Sequence, residues 1–135
     1  MLLLTDGQKR IKFLSQVYCG SAHDYALLKK ELPPETSLWF DAHELHVDLG
    51  FLGIAKDYKA QSICIPFKKS KKKPLEESQK VRNKNMSSIR VKVEHSIGGF
   101  KRFRFLSDRL RCRDFCLYNL IAEICAGLWN HSITC

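Results

Sequence analysis

No segment of this sequence is long and apolar enough to span a bilayer as a helix, which takes about 20 mostly apolar residues. The opening Leu2-Leu3-Leu4 stops at Thr5-Asp6-Gly7, too short for the core of a secretory signal. A cytoplasmic address follows by default, and no membrane partner is expected. The six cysteines are irregularly spaced, which argues against a disulfide framework and for reduced, buried thiols. Cys112 and Cys116 stand one helical turn apart without a clear second pair, so they are not read as a zinc site. There is no internal repeat. His23, His43, His46, His95 and His131 form no ligand spacing, and no Ser-His-Asp or Cys-His arrangement has supporting spacing. Acidic residues are scarce: 14 Asp and Glu face 23 Lys and Arg, for a net charge of +9.

That excess favours a polyanionic partner, since each neutralised phosphate releases counterions. Charge alone leaves a merely basic soluble protein and a membrane surface open. The length of 135 residues suits one domain, and 44% apolar content is ordinary for a packed core. Residues 1–18 read as a β-hairpin turning at Asp6-Gly7, with alternation over 11–17 marking its second strand. Ser21-x-x-Asp24 is a capping box for a helix over 22–32, stopped by Pro33-Pro34. Leu45 to Asp48 reads as a strand that breaks at Gly50, with Gly50 and Gly53 bracketing a turn. Ser62 to Phe67 is a second strand. The basic run from Lys68 to Lys73 is a solvated loop. Met86, Ile89, Val93, Ile97 and Phe100 form one helical stripe, flanked by Arg90, Glu94, Gly98 and Lys101. Asp114 caps a last helix whose apolar face is Leu117, Ile121, Ile124 and Leu128; Tyr118 and Trp129 broaden that face, predicting a well-buried helix.

Asp48 and Glu94 carry the chemistry that a phosphate-handling protein needs. A strand-end Asp and a helical Glu in one cleft can share Mg²⁺, a hard cation that takes oxygen ligands, and two such ions clamp the attacking and leaving oxygens of phosphoryl transfer. The plainer alternative stays open on spacing alone: an Asp before Gly is a turn residue, and a Glu four positions after an Arg is a solvated helix pair. The basic side chains Lys68, Lys69, Lys71, Lys72, Lys73, Arg90, Lys101, Arg102 and Arg104 are candidates for tracking a nucleic-acid backbone, a contact that positions without reading sequence.

Several ordered blocks resemble the insertion-sequence DDE transposases. Asp48-Leu-Gly-Phe-Leu-Gly53 resembles the block around that family's second catalytic Asp, and Ile65-Pro-Phe-Lys-Lys69 the segment after it. Asn83 to Gly98, continued by Phe100-Lys-Arg-Phe103, resembles the helix carrying the final Glu. Gly20-Ser-Ala-His-Asp24 resembles an upstream block, and Ala126-Gly-Leu-Trp-Asn130 the terminal helix. The resemblance implies an α/β fold, a ribonuclease-H-like mixed sheet with flanking helices. It also implies three carboxylates holding two Mg²⁺ (or Mn²⁺) ions for strand cleavage and transfer. Asp48 and Glu94 then become catalytic metal ligands, Arg90 lies near DNA phosphate, and the partners are transposon ends and target DNA at the nucleoid.

No residue matches the family's first Asp. Asp6 belongs to the hairpin turn, Asp24 suits a helix cap, and Asp41 precedes the wrong strand. The expectation is therefore a partial catalytic domain over 1–135, N-terminally truncated, with the first catalytic strand missing. Its parts are the hairpin 1–18, the Asp48 strand and basic loop over 38–74, and the Glu94 and terminal helices over 75–135. Without that central strand the hairpin must pair with the Asp48 strand or leave an open edge. Such a fragment is expected to be marginally folded and inactive alone. Its alternatives are a DNA-binding or regulatory product acting on full-length transposase, the downstream half of a frameshifted transposase, or a remnant without function.

Overall fold

Strands β1 (Leu3–Thr5) and β2 (Ile11–Leu14) form the antiparallel hairpin that the alternation predicts. The computed structural model describes residues 1–18, 23–69, 74–108 and 114–135. Asp6, rather than Asp6-Gly7 as a two-residue turn, organises the connection: its Oδ1 accepts the N–H of Gln8 at 2.9 Å and of Arg10 at 3.0 Å. The positive φ falls on Lys9, at 68°, so Gly7 is not the residue that the turn strains. β2 stops short of the predicted 11–17 because the Val17 N–H goes to Asn119 Oδ1, at 3.0 Å, instead of to a strand.

The chain divides into two units, Met1–Ser21 with Val91–Cys135, and Ala22–Arg90. In the first, the hairpin is held by α5 (Phe115–Thr134) and by the end of α3 (Glu77–Phe100). Asp114 caps α5 as predicted, accepting from the N–H groups of Cys116 and Leu117. Asn130 Oδ1 accepts the Ile11 N–H at 2.8 Å and its Nδ2 donates to the Ile11 carbonyl at 2.9 Å. One amide thus satisfies the open edge of β2, where unpaired backbone would cost about 1–3 kcal/mol per group. Lys9 contributes its carbonyl to both helices, accepting from Trp129 Nε1 at 3.0 Å and Ser96 Oγ at 2.9 Å.

The buried cluster joins Ile11, Phe100, Ala122, Cys125 and Ala126, with Ile121 and Trp129 partly buried against it. This corrects the predicted face of α5: Leu117, Ile124 and Leu128 are exposed, as is Leu120, and the helix is not buried all round. The small side chains let backbones approach, so the core takes the Ala122-Cys125-Ala126 face. The larger leucines give a conspicuous periodicity that does not choose a side. A short helix, α4 (Arg104–Ser107), lies between the two long ones in sequence.

The second unit begins with α1 (Asp24–Glu31), whose N-cap is His23: its Nδ1 accepts the Tyr25 N–H at 3.3 Å. The predicted capping box gives way to this arrangement; Ser21 lies outside the described residues, and Asp24 sits in the first turn. The helix ends before Pro33-Pro34 as expected. Strands β3 (Glu44–His46) and β4 (Ser62–Cys64) pair parallel in the register Glu44↔Ser62, Leu45↔Ile63, His46↔Cys64. Both are shorter than predicted. Among the described residues each sheet has two strands.

Between β3 and β4 lie a 3-10 turn over Leu49–Phe51 and α2 (Ile54–Asp57). Gly53, at φ 102°, is the glycine this link requires; Gly50 has no such conformation. Ile54 is the most deeply buried apolar residue here, and Tyr58 packs edge-on against Phe40 at 5.5 Å while donating to the Leu32 carbonyl at 2.6 Å.

Asp57 ties α2 to α1 by accepting from the Tyr25 hydroxyl and pairing with Lys29. The Lys29 ammonium first, and the Tyr25 hydroxyl second, hold the Asp57 carboxyl below its ordinary value. Burial first, and the bond to Asp57 second, push the Tyr25 phenol up to about 12. A depressed carboxylate contributes stability that is complete above its ordinary 3.8 and is lost as pH falls through the depressed value. The raised phenol contributes below its ordinary 10.0 and loses that contribution as pH climbs toward about 12. Carboxyl carbon NMR should therefore find Asp57 more than half ionised at pH 3.8, with Tyr25→Phe moving its titration upward. An Asp57 midpoint at or above the ordinary value in the wild-type chain would show the contact is not formed.

Candidate active site

Asp48 follows β3 by two residues instead of ending it. The parallel pairing runs one bond past the strand, from the Val47 N–H to the Cys64 carbonyl at 3.1 Å. Asp48 then caps the 3-10 turn, its Oδ1 accepting the Leu49 N–H at 2.8 Å and its carbonyl accepting the Phe51 N–H at 3.0 Å. Local bonding therefore fixes the backbone on both sides of a half-exposed carboxylate. Arg90 Nη1, on α3, stands 3.5 Å from the same Oδ1. An exposed pair of this kind contributes little stability, about 0–1 kcal/mol, but it puts a guanidinium beside the one acid.

Glu94 is exposed, one helical turn after Arg90 on α3. Asp48 lies in the unit Ala22–Arg90 and Glu94 in the other. Both offer the oxygen donors that suit a hard divalent ion. The stripe Met86, Ile89, Val93 and Ile97 is half-buried, and Phe100 is buried, as the periodicity predicts. The residues packed deepest in α3 also include Ser96 and Gly99, which the apolar pattern passed over.

Asp6 and Asp41 lie where the sequence reading had them, in the hairpin turn and ahead of β3. Asp6 is committed to the hairpin: burial raises its pKa, but the N–H groups of Arg10 and Gln8 and the Lys12 ammonium outweigh this and hold it low. Asp41 is exposed in the loop before β3. Of the basic candidates, Lys68, Lys69, Arg90, Lys101, Arg102 and Arg104 are all exposed, while Lys71, Lys72 and Lys73 lie outside the described residues.

One grouping was not foreseen. Glu44, His46 and Cys64 place three ligand-type atoms within 4.8 Å of one another. His46 Nε2 is 3.2 Å from Glu44 Oε1, and Cys64 Sγ donates to the same oxygen at 3.4 Å. Burial, then the bond to Glu44, push the Cys64 thiol up, while the Arg82 guanidinium works against them. Only the parallel register reveals this set, because its two strands are separated in sequence by the turn and α2. The expectation that the thiols are buried also needs correction. All four described cysteines are free, but only Cys125 is buried, Cys64 is partly so, and Cys116 and Cys135 are exposed.

The family described as DDE superfamily endonuclease matches residues 1–130. The chain belongs to the DDE transposase family. It is 31% identical over 124 residues to a probable transposase for insertion sequence element IS702 from Microchaete diplosiphon. That match covers 88% of this chain and 42% of the relative, so the chain spans less than half the relative's length. No solved structure matches it significantly. The family uses divalent metal ions. The fold is mixed α/β with small sheets and several helices, and no described helix is long and apolar enough to cross a membrane.

Proposed function

We propose that these 135 residues are the downstream part of a ribonuclease-H-like catalytic domain that cuts and joins DNA during transposition, with Asp48 and Glu94 as two of its metal-holding carboxylates. The observation that carries this reading is Asp48: in a chain of this family, it is a backbone-anchored, half-exposed carboxylate paired with Arg90. Mg²⁺ or Mn²⁺ bound in a complete domain would supply charge for activating water and then a freed 3′-hydroxyl. The chain's own residues do the positioning. The cap holds Asp48 in place, Arg90 offers a guanidinium to the phosphate, and the net charge of +9 draws the polyanion in.

On this reading the third carboxylate is not supplied by these residues. Asp6 is spent on the hairpin loop, Asp24 opens α1, and Asp41 precedes β3. The 135-residue polypeptide by itself is accordingly a DNA-binding protein that does not cleave. Incubating it with labelled duplex DNA and Mg²⁺ should give retention that falls steeply with salt and no nicking. Metal-dependent nicking by the chain alone would overturn its inactivity. Failure to retain DNA at low salt would overturn the DNA-handling role.

A further inference from the structure

We propose that Glu44, His46 and Cys64 form a site for a borderline-soft divalent ion, zinc by preference, clipping β3 to β4. The reasoning starts with the register. In a parallel pair, His46 and Cys64 are direct neighbours on one face, and Glu44, two residues before His46, shares that face. Three different ligand types thus meet across two short strands with only three paired positions between them.

The distances suit zinc. Zn–S near 2.3 Å, with Zn–N and Zn–O near 2.0–2.2 Å, put tetrahedral ligand atoms about 3.4–3.6 Å apart. Glu44 Oε1 already lies 3.2 Å from His46 Nε2 and 3.4 Å from Cys64 Sγ. The donor set selects the metal: thiolate and imidazole favour zinc over magnesium, which wants oxygen. Two anionic ligands neutralise the ion, with the Cys64 proton passing to solvent on binding. Arg82, beside Cys64, favours the thiolate form that the ion takes, against burial and Glu44. Three protein ligands leave a fourth position for water.

The consequence is structural. β3 leads into Val47 and Asp48, so an ion fastening β3 to β4 would stiffen the segment that carries the carboxylate. The site is distinct from the Mg²⁺-type carboxylates, and its test reads metal on a thiol and not DNA.

The experiment uses the reduced, chelator-treated 135-residue chain with Zn²⁺ or Co²⁺ alone. Co²⁺ should give a thiolate charge-transfer band that Cys64→Ser removes, that Asp48→Asn keeps, and that excess Mg²⁺ does not bleach. Because Cys64→Ser can disturb folding, alkylation of the wild-type chain, mapped by mass spectrometry, gives a second measurement. Zn²⁺ should slow modification of Cys64 by at least about tenfold while leaving Cys116 unchanged. Absence of the Co²⁺ band, its survival in a folded Cys64→Ser variant, or protection of Cys135 beside His131 instead of Cys64 would overturn the proposal.

Discussion

Gly99→Ala should cost about 2–3 kcal/mol of stability, whereas the same change at the neighbouring Gly98 should gain about 0.5–1 kcal/mol. A Cβ at Gly99 would lie 2.2 Å from Trp129 Cζ3 and 2.4 Å from Cε3, far inside contact distance. The ring cannot simply swing away, because its Nε1 donates to the Lys9 carbonyl at 3.0 Å. Accommodating alanine means breaking that bond or prising α3 from α5, which also disturbs Ser96 on the same carbonyl. Gly98 has nothing within 4 Å of its Cβ position and faces solvent, so only the helix preference of alanine acts there. Urea unfolding followed by circular dichroism gives both midpoints. If the two substitutions behave alike, the close packing of Trp129 on Gly99 is wrong. A double-mutant cycle with Trp129→Leu should recover part of the Gly99→Ala loss, since the pair is in contact.

Those two glycines also show what a sequence can reveal. The predicted stripe carries the helix past Gly98 and Gly99, and the helix does run to Phe100; which of the two glycines is packed is not legible in it. Tertiary contact with Trp129 decides the matter, and helix propensity does not register it. The hairpin, the Asp114 cap and the long helix over 77–100 were legible because they rest on local pattern: alternation, a capping side chain, a 3.6-residue stripe. The buried face of α5 was not. Two faces of that helix are apolar, and the one carrying alanine and cysteine wins because it lets the helix approach β2 closely. Asp48 was found on the sequence, but its cap and its Arg90 partner depend on the turn after β3 and on a helix far along the chain. The Glu44-His46-Cys64 set was out of reach for the same reason: its spacing exists only once β3 and β4 take a particular parallel register.

Asp48→Asn is the substitution that separates catalytic charge from local structure. In a complete transposase, made by joining this segment to the upstream part of a relative, it should reduce strand cleavage by at least about 100-fold. Removing a partner one shell out from a metal typically costs 10–100-fold, and a ligand should cost no less. The fold should barely respond. An asparagine amide oxygen still accepts the Leu49 N–H, and the Arg90 pair that it weakens is half-exposed and worth little. Glu94→Gln should act in the same way, since its side chain is exposed and such changes usually stay within about 0.5 kcal/mol. Either variant cleaving within about tenfold of wild type, with its unfolding midpoint unchanged, would sink the ligand assignment. Arg90→Gln distinguishes the two duties of the guanidinium. If Arg90 contacts phosphate, the salt dependence of DNA retention should lose about one unit of slope. If Arg90 serves only to hold Asp48, retention stays as it was and cleavage alone declines.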